Sequence, residues 1–251
     1  MKKLLIILVC LPLIGFGQNI NIPDANFKAY LVGNSSINTN GDSEIQVSEA
    51  SSFNGEINCY NMNISDLSGV ESFTDLTNLT CSNNQLTSID LSYNTALTSL
   101  NCGNNQLTSI DVSGATALSF LRVSENQLTI LDVSTNTALT YLYCLYNQLI
   151  NLDLRNGNNI NINYVSLSEN PNLFCINVDD DSYSNVNWIN IDPQSYFSNN
   201  CSGTTDIEEH TTNKELLKVT DLLGRETNPK ANALLFYIYE DGTVEKRIII
   251  E

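Results

Sequence analysis

Residues Leu76 to Asn159 are four copies of one 21-residue unit: LTNLTCSNNQLTSIDLSYNTA (76–96), LTSLNCGNNQLTSIDVSGATA (97–117), LSFLRVSENQLTILDVSTNTA (118–138) and LTYLYCLYNQLINLDLRNGNN (139–159). Aligned without gaps they give L-x-x-L-x-[C/V]-x-x-N-x-L-x-x-[L/I]-x-[L/V]. A fixed period of this length means that each copy folds alike and packs on its neighbours. One copy cannot stand alone. Its about six apolar side chains, roughly 1.5–3 kcal/mol each, do not offset the ordering of its backbone at roughly 1–2 kcal/mol per residue. Stacked copies share apolar surface and strand hydrogen bonds, so the array predicts a solenoid.

Looser copies flank it. Ile57, Cys59, Ile64 and Leu67 precede the array in the same rhythm, and Val165, Leu167, Asn170, Leu173, Ile176 and Val178 follow with insertions, which makes six coils with atypical outer ones. Within each unit LTSIDLSYN echoes LTNLTCSNN, so a coil has room for two short parallel strands. Asn84, Asn105, Asn126 and Asn147 fall in one column, where buried amides satisfy loop backbone groups at roughly 1 kcal/mol net each. The second column reads Asn94, Ala115, Asn136, Gly157. Its breaks place the regular sheet on the Leu79-Thr80-Cys81 side. The pattern is similar to the signature of leucine-rich repeats, which implies a mostly β solenoid.

The N-terminus stands apart from the fold. Lys2 and Lys3 precede an apolar run from Leu4 to Ile14, and Gly15-Phe16-Gly17 offers the small residues that signal peptidase reads, so residues 1–17 read as a signal peptide. The run is too short for a membrane span, and Leu8 and Val9 are too bulky for lipidation at Cys10. Formal net charge is −17, and between Gln18 and Asn213 the only basic residues are Lys28, Arg122 and Arg155. Such a body repels phosphate backbones, which argues against nucleic-acid binding. Export leaves six cysteines. Cys59, Cys81, Cys102 and Cys144 share a repeat column in which Val123 also serves, so they are expected to be small core hydrophobes. Cys175 and Cys201 break register where a terminal coil needs fastening, and a disulfide between them is expected.

Residues 18–53 read as a helical cap: a helix over Pro23 to Val32 with Phe27 and Leu31 on one face, then a loop, then a short helix over Val47 to Phe53. The loop Asn38 to Glu49 resembles an EF-hand loop, with oxygen side chains from Asn38, Asn40, Asp42 and Glu44 and a closing Glu49. It departs from the pattern in having Asn38 first, Gly41 fourth and Ser43 sixth. Fewer carboxylates weaken the hold on a hard cation. Calcium binding and a plain covering role for the apolar end both stay open.

No catalytic constellation is visible. The single histidine, His210, lies in a polar linker, residues 202–213, so Ser-His-Asp and Cys-His schemes lack a base. Asp90, Asp111, Asp132 and Asp153 form a carboxylate column, whose repulsion, roughly 1 kcal/mol per neighbour even in water, a bound cation could relieve but solvent and hydrogen bonds to nearby Ser and Thr relieve more simply. More informative is where the repeat departs from itself. Outward positions carry Asn78, Thr80 and Ser82, then Ser99, Asn101 and Gly103. Later coils replace these with Phe120 and Arg122, then Tyr141, Tyr143, Leu145 and Tyr146, and finally Tyr164. Adjacent coils merge these into an aromatic patch of the residue types that anchor interfaces and stack on sugars. The other expectation is that the tail of the array folds over it.

From Lys214 composition changes, and Asp241-Gly242 reads as a hairpin turn between strands rich in aromatic and β-branched residues. The tail resembles the C-terminal sorting domain of type IX secretion substrates. It has a D-x-x-G-R turn (Asp221, Gly224, Arg225), a Y-I-Y-x-D-G hairpin (Tyr237, Asp241, Gly242) and a terminal basic-Ile run from Lys246. The match covers about the last 38 residues, 214–251, and lacks the Y-P-N-P motif of longer members. It implies passage across the outer membrane by the type IX machinery, followed by release or surface attachment. I-P-D-A-N-F-K-A-Y-L (Ile22 to Leu31) looks like the usual opening of bacterial leucine-rich repeat proteins of this kind, chiefly recognition and adhesion proteins. The expected plan is therefore signal peptide 1–17, cap 18–53, solenoid 54–181, C-terminal cap 182–201, linker 202–213 and a small β sorting domain 214–251. The expected function is non-enzymatic recognition of a protein or glycan through the repeat surface. A calcium-stiffened structural component comes second and a polysaccharide hydrolase last.

Overall fold

A computed structural model describes residues 17–201, 216–220, 225–228, 234–239 and 244–248. In chain order the first unit runs through α1 (Ala25–Gly33), α2 (Val47–Ser52), β1 (Glu56–Asn58), β2 (Asn78–Thr80), β3 (Ser99–Asn101), β4 (Phe120–Arg122) and β5 (Ile130–Asp132). It continues through β6 (Tyr141–Tyr143), β7 (Asn151–Asp153), β8 (Tyr164–Ser166), β9 (Cys175–Asn177), α3 (Asp181–Asn187) and β10 (Tyr196–Ser198). Strands β1-β2-β3-β4-β6-β8 form one parallel sheet and β5-β7-β9-β10 a second. The repeat body is a leucine-rich repeat solenoid.

Register follows the repeat. Leu79, Leu100, Leu121, Leu142 and Val165 pair in line across the first sheet and are buried with the other consensus apolar residues. The core is thus a continuous spine. Two strands per coil form only from Ile130 onward, because Ser88–Leu91 and Ser109–Val112 stay outside any ladder. The second ladder runs on through Tyr196–Ser198, past residue 181, so the expected C-terminal cap supplies a strand of its own.

The asparagine columns also differ between the sides. Asn126 Nδ2 donates to Cys102 O (3.1 Å) and Val123 O (3.0 Å), and its Oδ1 accepts from Leu107 N–H (2.9 Å). Asn105 one coil earlier, and Asn147 and Asn170 one and two coils later, do the same. Each coil's amide therefore shares a carbonyl with its neighbour: Cys102 O accepts from both Asn105 and Asn126. In the other column Asn94 and Asn136 each donate twice, but among the described residues their Oδ1 atoms accept nothing. Ala115 has no amide to offer.

Both ends are covered, as an open sheet edge invites unwanted pairing. At the start Asp24 caps α1 by accepting from Asn26 and Phe27 N–H and also from Ser65 N–H. Phe27 and Leu31 face the core with no exposed surface, and Tyr30 Oη accepts from Asn58 N–H on the edge strand (2.8 Å). At the other end Asp192 accepts from Glu169 and Asn170 N–H. Trp188 packs edge-on against Phe197, and Cys175 and Cys201 form a disulfide with Cα atoms 5.7 Å apart. Among the described residues no helix is long and apolar enough to cross a membrane.

The second unit is a three-stranded antiparallel sheet of β11 (Leu216–Thr220), β12 (Leu234–Tyr239) and β13 (Val244–Ile248) in that order. Val219, Leu235 and Tyr237 form its small core.

Candidate functional site: the outward face of the first sheet

Because strands pair in register, outward side chains of successive coils stand in rows. One row reads Asn78, Ser99, Phe120, Tyr141, Tyr164 and the other Asn58, Thr80, Asn101, Arg122, Tyr143, Ser166. The face divides at β4. Beyond it the rings lie together: Phe120 to Tyr143 at 5.6 Å between centroids, Phe120 to Tyr141 at 6.3 Å and Tyr143 to Tyr164 at 5.1 Å. Tyr141 is 39% and Tyr164 38% exposed, so the ridge is half sunk into its own stack. Tyr146 lies in the loop beyond β6 and is exposed. All six residues expected on this patch are in this region of one unit.

On the near side of β4 the small residues leave a depression of about 380 Å³ lined by Asn58, Thr80, Asn101, Gly103, Arg122 and Glu125, among others. Sequence reading missed it as a site, although its signal was visible in the small outward residues of the first coils. Arg122 leans over Gly103: a Cβ there would stand 3.3 Å from Arg122 Nε and 3.3 Å from Ser124 O. Gly103 therefore provides room rather than an unusual φ. Arg122 meets Glu125 at 3.9 Å. On the rim Asn104 Nδ2 donates to Asn83 Oδ1 (2.7 Å), and Asn83 Nδ2 donates to Tyr60 Oη (2.9 Å).

The same rim carries backbone strain. Asn83, Asn104, Glu125, Tyr146 and Glu169 adopt φ between 53 and 61°. Asn tolerates this left-handed conformation and Glu and Tyr do so less readily. The costlier residues occupy the coils that carry Arg122 and the rings.

The other expected site residues lie elsewhere. In the loop 38–49 the polar atoms bind one another. Asn38 Nδ2 donates to Val32 O and Asp42 O, while Asp42 Oδ2 accepts from Asn40 Nδ2 and Gln46 Nε2. Glu44 pairs with Lys28. Burial pushes the Glu49 carboxyl up, but donors from Gln46, Asn40 and Thr39 outweigh it and hold the group below its usual range. Of the sorting motif, Arg225 is described, Tyr237 is buried in β12 and Lys246 lies in β13. Asp221, Gly224, Asp241 and Gly242 lie outside the described residues, as do residues 1–16 of the expected signal peptide, His210 and the expected linker.

The carboxylate column is relieved locally. Asp90, Asp111, Asp132 and Asp153 each accept from the N–H two residues on. The Ser92 N–H holds Asp90 low, the Ser113 hydroxyl Asp111 and the Arg155 guanidinium Asp153. Cys59, Cys81, Cys102 and Cys144 are buried, unbridged thiols. Burial pushes Cys59, Cys102 and Cys144 up to about 12 and raises Cys81 as well. They behave as core hydrophobes, inert at neutral pH.

Comparison with known proteins agrees with this architecture. The family model described as leucine-rich repeats in two copies matches residues 74–114. The functional domain of InlJ from Listeria monocytogenes, described as including a cysteine ladder, aligns at 34% identity with a TM-score of 0.50, over 64% of this chain and 38% of that one. An internalin (inlF) from Listeria monocytogenes aligns at 22% identity with a TM-score of 0.52, over 67% of this chain and 55% of that one. The likeness to the second is one of fold. The chain thus spans 38% and 55% of the length of these two structures. No curated protein matches the chain. The chain carries leucine-rich repeats, and its solenoid is similar to those of the bacterial internalins.

Proposed function

We propose that this chain is a non-enzymatic recognition protein, secreted or attached to the outer-membrane surface, that engages a protein or glycan through the outward face of its first sheet. The observation that carries the reading is the ridge itself: rings from three adjacent strands, in mutual contact and partly exposed, on a face whose first three strands carry only polar side chains, with Glu56 on the edge strand. Clustered aromatics beside an arginine are the composition of interface anchors. The internalin-like neighbours favour recognition of a macromolecule over catalysis. Export follows from the N-terminal apolar run and from the resemblance of residues 214–251 to type IX sorting domains, with the secretion machinery as second partner.

The test is a glycan and protein array probed with the full chain. The Tyr141→Ser/Tyr143→Ser double variant should lose at least about tenfold in affinity for whatever is captured, while cooperative unfolding is retained. Unchanged binding removes the ridge from consideration. Deleting residues 214–251 should trap the protein in the periplasm; continued surface delivery would refute the sorting role.

A further inference from the structure

We infer that the polar depression beside the ridge is a subsite for a neutral, hydroxyl-rich sugar chain, an inference that rests on the reading of this face as the ligand-binding surface. At about 380 Å³ the depression falls within the range of small-ligand sites, roughly 300–1,000 Å³. Its lining is a mixture of donors and acceptors. Asn58, Asn101 and Thr80 project from the strands, and among the described residues no hydrogen bond engages the amide nitrogens of Asn58 or Asn101 or the Thr80 hydroxyl. A sugar hydroxyl both donates and accepts, so amides and hydroxyls suit it better than a row of like charges would.

The rim is set in advance. The Tyr60–Asn83–Asn104 chain of hydrogen bonds fixes three polar groups before anything binds, which lowers the ordering cost of binding. Across from it Arg122 is laid into the depression by the missing side chain of Gly103. Among the described residues its one ionic neighbour is Glu125 at 3.9 Å, so the charged pair is neutral in sum and offers a planar donor set beside an acceptor. Glu125 holds a left-handed φ of 57° where the two preceding coils have Asn, so the acceptor facing Arg122 is placed there against local preference.

Charge and neighbourhood select the class. The body carries Lys28, Arg122 and Arg155 against many carboxylates, a field that repels anionic polymers. Next to Arg122, on the same strand and the following one, Phe120 and Tyr143 begin the ridge, and the apolar faces of sugar rings stack on such surfaces. Strands advance by about 4.8 Å, so one chain of several sugars crosses from the depression onto the rings.

Calorimetry of the full chain with hexasaccharides of glucose, mannose, galactose and N-acetylglucosamine tests this, with hexagalacturonate as the anionic control. At least one neutral hexamer should bind with Kd at or below about 1 mM, and hexagalacturonate about tenfold more weakly or not at all. Arg122→Gln and Asn101→Ala should each weaken binding about tenfold with unfolding unchanged, and Gly103→Ala should do the same by displacing the guanidinium. No heat from any neutral hexamer at about 10 mM, preference for the uronate, or capture of proteins alone overturns the inference. If Tyr141→Ser/Tyr143→Ser abolishes binding while Arg122→Gln and Asn101→Ala leave it intact, the ridge stands and the subsite falls. If neither set matters, both fall.

Discussion

The two long sides of each coil start from the same half-repeat and end differently. On the side of β2, β3, β4, β6 and β8 every coil from Leu76 on carries an asparagine that donates two hydrogen bonds and accepts at least one, and every strand is paired. On the other side the side-chain amides of Asn94 and Asn136 donate without accepting, Ala115 has no polar side chain, and pairing begins only at Ile130. Apolar spacing is common to both. They also differ in how far the buried amide is satisfied, and an unpaired buried polar atom costs roughly 1–3 kcal/mol.

Breaking the complete side should hurt most. Asn126→Ala orphans Leu107 N–H and strips a donor from two carbonyls, so a loss of about 3–4 kcal/mol is expected in urea unfolding. Asn136→Ala, which removes an orphaned acceptor along with two bonds, should cost about half as much; equal losses would erase the distinction. Reducing Cys175–Cys201, or replacing Cys201 with Ser, should cost about 3 kcal/mol and loosen β9 and β10 first, read by hydrogen exchange. Uniform exchange would show that the staple holds more than its own side.

Smaller effects sharpen the comparison. Glu125→Asn places a residue suited to φ 57° and should stabilise by about 0.5–1 kcal/mol while weakening any ligand that needs the Arg122 pair; a loss of stability would show that the pair matters more to folding. Acid should act on the second side through its carboxylates. The folded values of Asp90, Asp111 and Asp153 lie below the ordinary 3.8, so their contribution is fully present above about pH 5 and is lost as pH falls through those lowered values. Asp90→Asn should flatten a little of that decline, and an unaltered profile would remove Asp90 from it.

Much of this was legible in the letters. The 21-residue period gave the solenoid, because a repeat that cannot fold alone has only its copies to pack on. The column Asn84, Asn105, Asn126, Asn147 marked the regular side, the odd pair Cys175 and Cys201 marked the staple, and the run Phe120, Tyr141, Tyr143, Tyr164 marked the ridge. Each is a periodic position, and periodicity turns sequence distance into spatial adjacency.

Only the tertiary structure decided the rest. Gly103 is an ordinary turn residue until Arg122, nineteen positions on, lies over it. The depression is a volume left between side chains of four coils, and no single residue announces it. Likewise the oxygen-rich loop 38–49 has the letters of a cation site, yet its amides and carboxylates are seen to bind one another. Spacing determines which residues become neighbours; how their side chains lean, and which polar atoms are already taken, is set by packing across coils.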